Sequence, residues 1–192
     1  MTPHAIETKY RGFVFRSRLE AKIAVFFDLC GWNWSYEPRE FNGWIPDFAL
    51  GWMPTLCEVK PFYAESEWVD AINKIMASGC EQDVILFGAD PVWTWQNSRD
   101  LCEDAPRVAT LLSMVDGQWQ TWPLNFGWTE GNRKLGLCPL QGHWNNLIWQ
   151  APANVRANRW SRVWLNEGDV ESVLVARWAE ACNQSRWVPL GA

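Results

Sequence analysis

No CxxC pair occurs in the sequence, although it holds six cysteines, Cys30, Cys57, Cys80, Cys102, Cys138 and Cys182. The opening residues, MTPHAIETKYRGF, lack the apolar stretch of a secretory leader. Together these point to reduced, mostly buried thiols and a cytoplasmic setting. Cys138 and His143, in CPLQGHW, match no zinc-site spacing with Cys80 and Cys102, so no zinc is expected. Histidine is scarce, with His4 and His143 alone, and there is neither a G-x-S-x-G elbow nor a Gly-rich phosphate loop. Serine- and cysteine-nucleophile schemes therefore find no support. No apolar run approaches the roughly 20 residues of a membrane span, which argues against a membrane partner. Internal repeats, low-complexity tracts and clear linkers are also missing, so residues 1–192 read as a single domain.

What is present begins with charge. Seventeen basic against 22 acidic residues give −5, too acidic for a protein that coats nucleic acid nonspecifically. The basic residues cluster near the N-terminus, where Lys9, Arg11, Arg16, Arg18 and Lys22 face only Glu7 and Glu20. Sixteen tryptophans read mainly as core and sheet packing, with nucleobase stacking open to a few of them. Arg156, Arg159 and Arg162 recur every third residue, either as a solvated helix face or as a strip of phosphate contacts.

Periodicity predicts a helix in FRSRLEAKIAVFFDLCG, with Ser17 as N-cap and Gly31 as stop. Strands are expected in WNWSYEPREF, WIPDFAL and TLCEVK. A helix follows in SEWVDAINKIMASG, with Ser66 near its start, and DVILFG is a strand buried on both faces. The order is α-β-β-β-α-β. Beyond it, ATLLSMV and QWQTWPL flank Asp116-Gly117 as a hairpin, and NEGDVESVLVARWAEACNQ reads as a C-terminal helix. The stretch 127–150 is ambiguous.

The hairpin IPDFALGWMPTLCEVKP carries three charges in an apolar setting. If residues 51–54 form its loop, Leu50 pairs with Thr55 and Asp47 falls opposite Glu58. Opposed Cβ atoms lie about 4.5–5.5 Å apart, so the two carboxylates repel unless something positive joins them. Lys60 shares the face of Glu58, whereas Cys57 and Val59 point the other way. Two readings follow: a surface hairpin with a cross-strand salt bridge, or a site for a hard divalent cation. In the second, Asp47, Glu58 and the backbone carbonyl of Val59 supply oxygens, and Lys60 orients water or stabilises phosphate charge. Ser17-Arg18-Leu19-Glu20 also spells a capping box.

The motifs RSRLEA (16–21), YEP (36–38), PDF (46–48) and EVK (58–60), in this order, resemble the PD-(D/E)XK nuclease superfamily. They are closest to small nucleases of phages and mobile elements. The resemblance implies an α/β fold. A restriction-endonuclease-like α-β-β-β-α-β core with a mixed central sheet would span residues 11–90. A Trp-rich extension over 91–192, a β-hairpin and a helix, would pack on it. It also implies a Mg²⁺-dependent DNA endonuclease, with Mn²⁺ able to substitute. Asp47, Glu58 and Lys60 would be catalytic, and Glu20 would join them as the first-helix glutamate at the metal site. Lys9, Arg11, Arg16 and Arg18, just before the helix that carries Glu20, are by that position better candidates for phosphate contacts than Arg156, Arg159 and Arg162. The other reading of the same resemblance is a catalytically silent module that binds nucleic acid, or that meets a protein partner or a second copy through its Trp-rich extension.

Overall fold

The structure, a computed structural model, describes residues 5–51, 55–62, 68–90, 109–128, 135–139 and 167–185. Two strands come first, β1 (Thr8–Tyr10) and β2 (Phe13–Phe15), paired antiparallel across Arg11 and Gly12. Both turn residues have positive φ, 47° and 84°, as a type I′ turn requires. This hairpin lies outside the expected element order. Its Arg-Gly turn is a weaker sequence signal than Asn-Gly or Asp-Gly.

Helix α1 (Arg18–Cys30) has the expected caps. Ser17 is extended, and its hydroxyl accepts the Glu20 N–H at 3.1 Å. Gly31 turns left-handed at φ 72°, and the Gly31 and Trp32 N–H groups return to the carbonyls of Asp28 and Phe27. Next come β3 (Trp34–Tyr36), β4 (Phe48–Leu50), β5 (Thr55–Val59), α2 (Val69–Ala77) and β6 (Val84–Phe87), in the predicted order α-β-β-β-α-β. Strand β4 is shorter than WIPDFAL suggests. Pro46 has no N–H to give a ladder, and pairing begins only at Phe48. Ser66 lies outside the described residues, and Trp68, at the N-cap of α2, makes no side-chain cap bond.

Strands β7 (Ala109–Val115) and β8 (Gln118–Trp128) form the predicted hairpin, with positive φ at Asp116 and Gly117. Strand β9 (Leu135–Pro139), inside the stretch whose sequence was ambiguous, adds to β8, and helix α3 (Glu167–Gln184) closes the described chain. One seven-stranded sheet runs β3-β4-β5-β6-β7-β8-β9. Among the described strands of this sheet only β5 and β6 are parallel, across the α2 crossover. The protein is thus mixed α/β, with a mostly antiparallel sheet. The later strands extend this same sheet, because β7 pairs with β6.

Both faces of the sheet are covered, and the alternation of side chains says how. Phe48, Leu50, Cys57, Ile85, Phe87 and Leu111 pack against Ile23, Phe26 and Phe27 of α1 and Leu174, Trp178 and Ala181 of α3. The intervening Leu56, Val84, Leu86 and Leu112 pack with Ile75 of α2 and with Trp44 and Trp68. A strand buried on two sides needs an unbroken apolar run, which is why VILF has no alternation. Cys30, Cys57 and Cys80 are free and buried. Burial pushes the Cys30 thiol up to about 12, so it is unreactive at neutral pH. Trp32, Trp44, Trp68 and Trp178 are core residues, in line with the packing role expected of most tryptophans. Among the described residues no helix is long and apolar enough to cross a membrane.

Candidate functional site

The register of the β4–β5 hairpin is Leu50↔Thr55, Ala49↔Leu56 and Phe48↔Cys57, as the loop position predicts. One step further brings Asp47 to Glu58 at the open end, beside Lys60. Both carboxylates are buried, at 2% and 6% exposure. Asp47 is not a ladder member. Its carbonyl accepts the Glu37 N–H at 3.0 Å, and its Oδ2 accepts the Val59 N–H at 2.7 Å. These two bonds fix the Asp47 side chain across the end of β5.

Glu58 is held from two sides. Its Oε2 accepts the indole N–H of Trp44 at 3.0 Å, and Lys60 Nζ lies 2.5 Å from Oε1. A buried indole N–H needs an acceptor, and Glu58 is the one it finds. Burial pushes the Asp47 carboxyl up to about 7. The Glu58 carboxylate adds to the rise, against the opposing pull of Lys60 and the Val59 N–H. Burial pulls the Lys60 ammonium down, but Glu58 and Asp47 outweigh it, and its pKa ends above the usual lysine range.

Glu20 enters from the first turn of α1 and is buried at 7% exposure. Its Oε1 accepts from the Ser17 hydroxyl at 2.8 Å. Its Oε2 accepts from the Tyr36 hydroxyl at 2.7 Å and the Arg16 N–H at 3.2 Å. A standard capping box would send the glutamate back to the Ser17 N–H. Here it takes the Ser17 hydroxyl and reaches one residue further. Burial, with the bond to Glu20, pushes the Tyr36 phenol up to about 12, so it stays a donor.

Arg16 joins these parts. Its Nη2 lies 3.1 Å from Asp47 Oδ1 and its Nε 2.7 Å from Glu37 Oε1. Burial lowers the pKa of this guanidinium, but Tyr36, Glu37, Asp47 and Glu20 raise it by more. The other expected phosphate contacts sit differently. Arg11, at the tip of the β1–β2 turn, pairs with Asp28 at 2.9 Å. Asp28 is eight residues beyond Glu20, about 12 Å along the helix. Lys9 is exposed on β1 opposite Val14. The buried Arg18 Nε has no hydrogen-bond partner among the described residues. Cys102, His143, Arg156, Arg159 and Arg162 lie outside the described residues, and of Cys138 only the strand is described.

Sequence reasoning did not single out Trp44, Tyr36 or Glu37 as parts of the site. Tyr36 and Glu37 stand in the YEP motif. A tryptophan three residues before Asp47 is a signal of the same kind, since its ring is apolar but its N–H must be satisfied.

A divalent cation fits this donor set in one respect. Two buried carboxylates adjoin, and burial, with the Glu58 charge adding to it, raises Asp47 to about 7. As arranged, however, every carboxylate is engaged by a cation or a hydrogen-bond donor. Among the described residues no three His, Cys, Asp or Glu side chains stand together as a formed metal cage. No family model, curated protein or solved structure matches the chain.

Proposed function

We propose that the open end of the β4–β5 hairpin is the active site of a Mg²⁺-dependent nuclease of the PD-(D/E)XK type. DNA is the favoured substrate and endonucleolytic hydrolysis of a phosphodiester the reaction. The observation that carries this reading is the burial of Asp47 beside Glu58, with the Lys60 ammonium 2.5 Å from Glu58. A folding hairpin gains nothing from two adjoining buried carboxylates, because burial of like charge is costly.

Asp47 and Glu58 would hold the cation, with the Val59 carbonyl as a third oxygen and Glu20 at the edge of the same site. Mn²⁺ would bind the same oxygens. Bound there, the ion would supply Lewis acidity toward a phosphoryl oxygen and ease deprotonation of water. The residues do the rest. Trp44 fixes the rotamer of Glu58. Tyr36 and Ser17 fix Glu20. Lys60, mobile on its four-carbon stem, can exchange Glu58 for the charge that develops on the phosphate. The second reading, a silent nuclease-fold module that binds nucleic acid or a protein partner, draws on the ion pairs Arg16–Asp47 and Lys60–Glu58, which already give each of the two carboxylates a cation.

Supercoiled plasmid separates the two. A nuclease converts it to nicked or linear form in Mg²⁺ and stops when the metal is chelated, and Lys60→Met removes most of the rate. A binding module retards the plasmid, or ignores it, and leaves it supercoiled.

A further inference from the structure

We propose that Arg16 is the resident counter-cation of Asp47, and that a divalent metal ion enters the site only by displacing it. The proposal rests on the nuclease reading above. It explains how one pocket can fold without metal and yet remain open to it.

The geometry turns on the two oxygens of Asp47. Oδ2 is committed to the Val59 N–H at 2.7 Å. Oδ1 is the oxygen left for a cation, and Arg16 Nη2 holds it at 3.1 Å. The backbone of Arg16 is pinned at the site, because its N–H faces both Glu20 Oε2 at 3.2 Å and the Tyr36 hydroxyl at 3.1 Å. Its side chain is more than half exposed, so the guanidinium can withdraw into water without crossing the core.

Glu37 gives it a place to stay. The Glu37 backbone is left-handed, at φ 44°, and its N–H is bound to the Asp47 carbonyl. That holds the Glu37 carboxylate beside Asp47, with Oε1 2.7 Å from Arg16 Nε. A rotation about the outer bonds of Arg16 can break the bond to Asp47 and keep the one to Glu37. Because the guanidinium and the metal ion claim the same oxygen, each lowers the affinity of the site for the other. Arg16 is thus a positioning residue that sets how readily the metal binds.

The test is a calorimetric titration of the full chain with Mn²⁺ alone, without nucleic acid. Melting curves establish that each variant is folded. Arg16→Gln should bind Mn²⁺ more tightly than the parent, by at least about fivefold, the lower end of ordinary coupling between sites. Arg16→Lys, a shorter point charge without the planar fork, should fall between them and covers the case of an unfolded glutamine variant. Asp47→Asn should abolish the binding in either background. Binding in Arg16→Gln equal to or weaker than the parent's, with Asp47→Asn still abolishing it, would overturn the role of Arg16 and leave the metal site standing. Absence of any Asp47-dependent Mn²⁺ binding would overturn both.

Discussion

The two ends of the β4–β5 hairpin are built from opposite materials. At the loop end, Leu50 pairs with Thr55 and both are buried, with Leu50 in the core that α1 covers. At the open end stand Asp47, Glu58 and Lys60, with Arg16 bound to both Asp47 and Glu20, and all three carboxylates are buried. The loop end lowers the free energy of the fold by removing apolar area from water. The open end does the reverse, for buried like charges are held together only by the cations and donors around them. The difference teaches where to look for chemistry: at the place where burial works against stability.

That contrast can be broken by substitution, and the largest effect on stability belongs to the apolar part. Phe48 is fully buried and meets Phe27, Tyr36 and Trp34 ring to ring. Phe48→Ala is expected to cost about 3–5 kcal/mol in denaturant unfolding. A cost near zero would mean that the sheet does not depend on this packing.

A smaller effect comes from pH at the charged end, measured without metal. The Asp47 carboxyl titrates at about 7 in the folded chain, against 3.8 for an ordinary aspartate. Between these values the folded form keeps a proton that the unfolded chain has released. The contribution of Asp47 to stability therefore falls as pH rises through this window, and the loss is complete above pH 7. Asp47→Asn should flatten the slope in melting curves taken from pH 4 to 8. Added Mg²⁺ should restore part of the lost stability at pH 8 in the parent and none in that variant.

The cap of α1 gives a smaller effect again. Ser17→Ala removes the acceptor of the Glu20 N–H and a donor to the Glu20 carboxylate, and should cost about 0.5–2 kcal/mol. Glu20→Gln is expected to change stability least, since its amide oxygen can still accept from Tyr36 or Ser17. It should nonetheless lose most cleavage, because it lacks the charge a metal centre needs. Parental cleavage by Glu20→Gln would confine the site to the hairpin and leave Glu20 as a cap.

Much of this architecture was legible because it is local. Ser17 and Gly31 bound α1 through cap chemistry that operates within a few residues, and Asp116-Gly117 dictates its turn in the same way. The β4–β5 register followed from the position of Gly51 and placed Asp47 near Glu58. Other features depended on distant partners and left no periodic trace. Arg16 meets Asp47 across 31 positions, and no pattern in RSRLEA says that its guanidinium reaches Asp47 while that of Arg11 turns to Asp28. The β1–β2 hairpin hid behind an Arg-Gly turn, and β9 behind a Gly- and Asn-rich stretch whose strand character comes from pairing with β8.

Plasmid cleavage by carboxylate variants that remain folded tests the central claim most directly. Asp47→Asn and Glu58→Gln keep the shape of the open end and remove its charge. With melting temperatures at or above the parent's in the absence of metal, both should leave supercoiled plasmid intact in Mg²⁺ while the parent nicks it. Nicking by either variant at the parental rate, or no nicking by the parent in Mg²⁺ or Mn²⁺, would contradict the account.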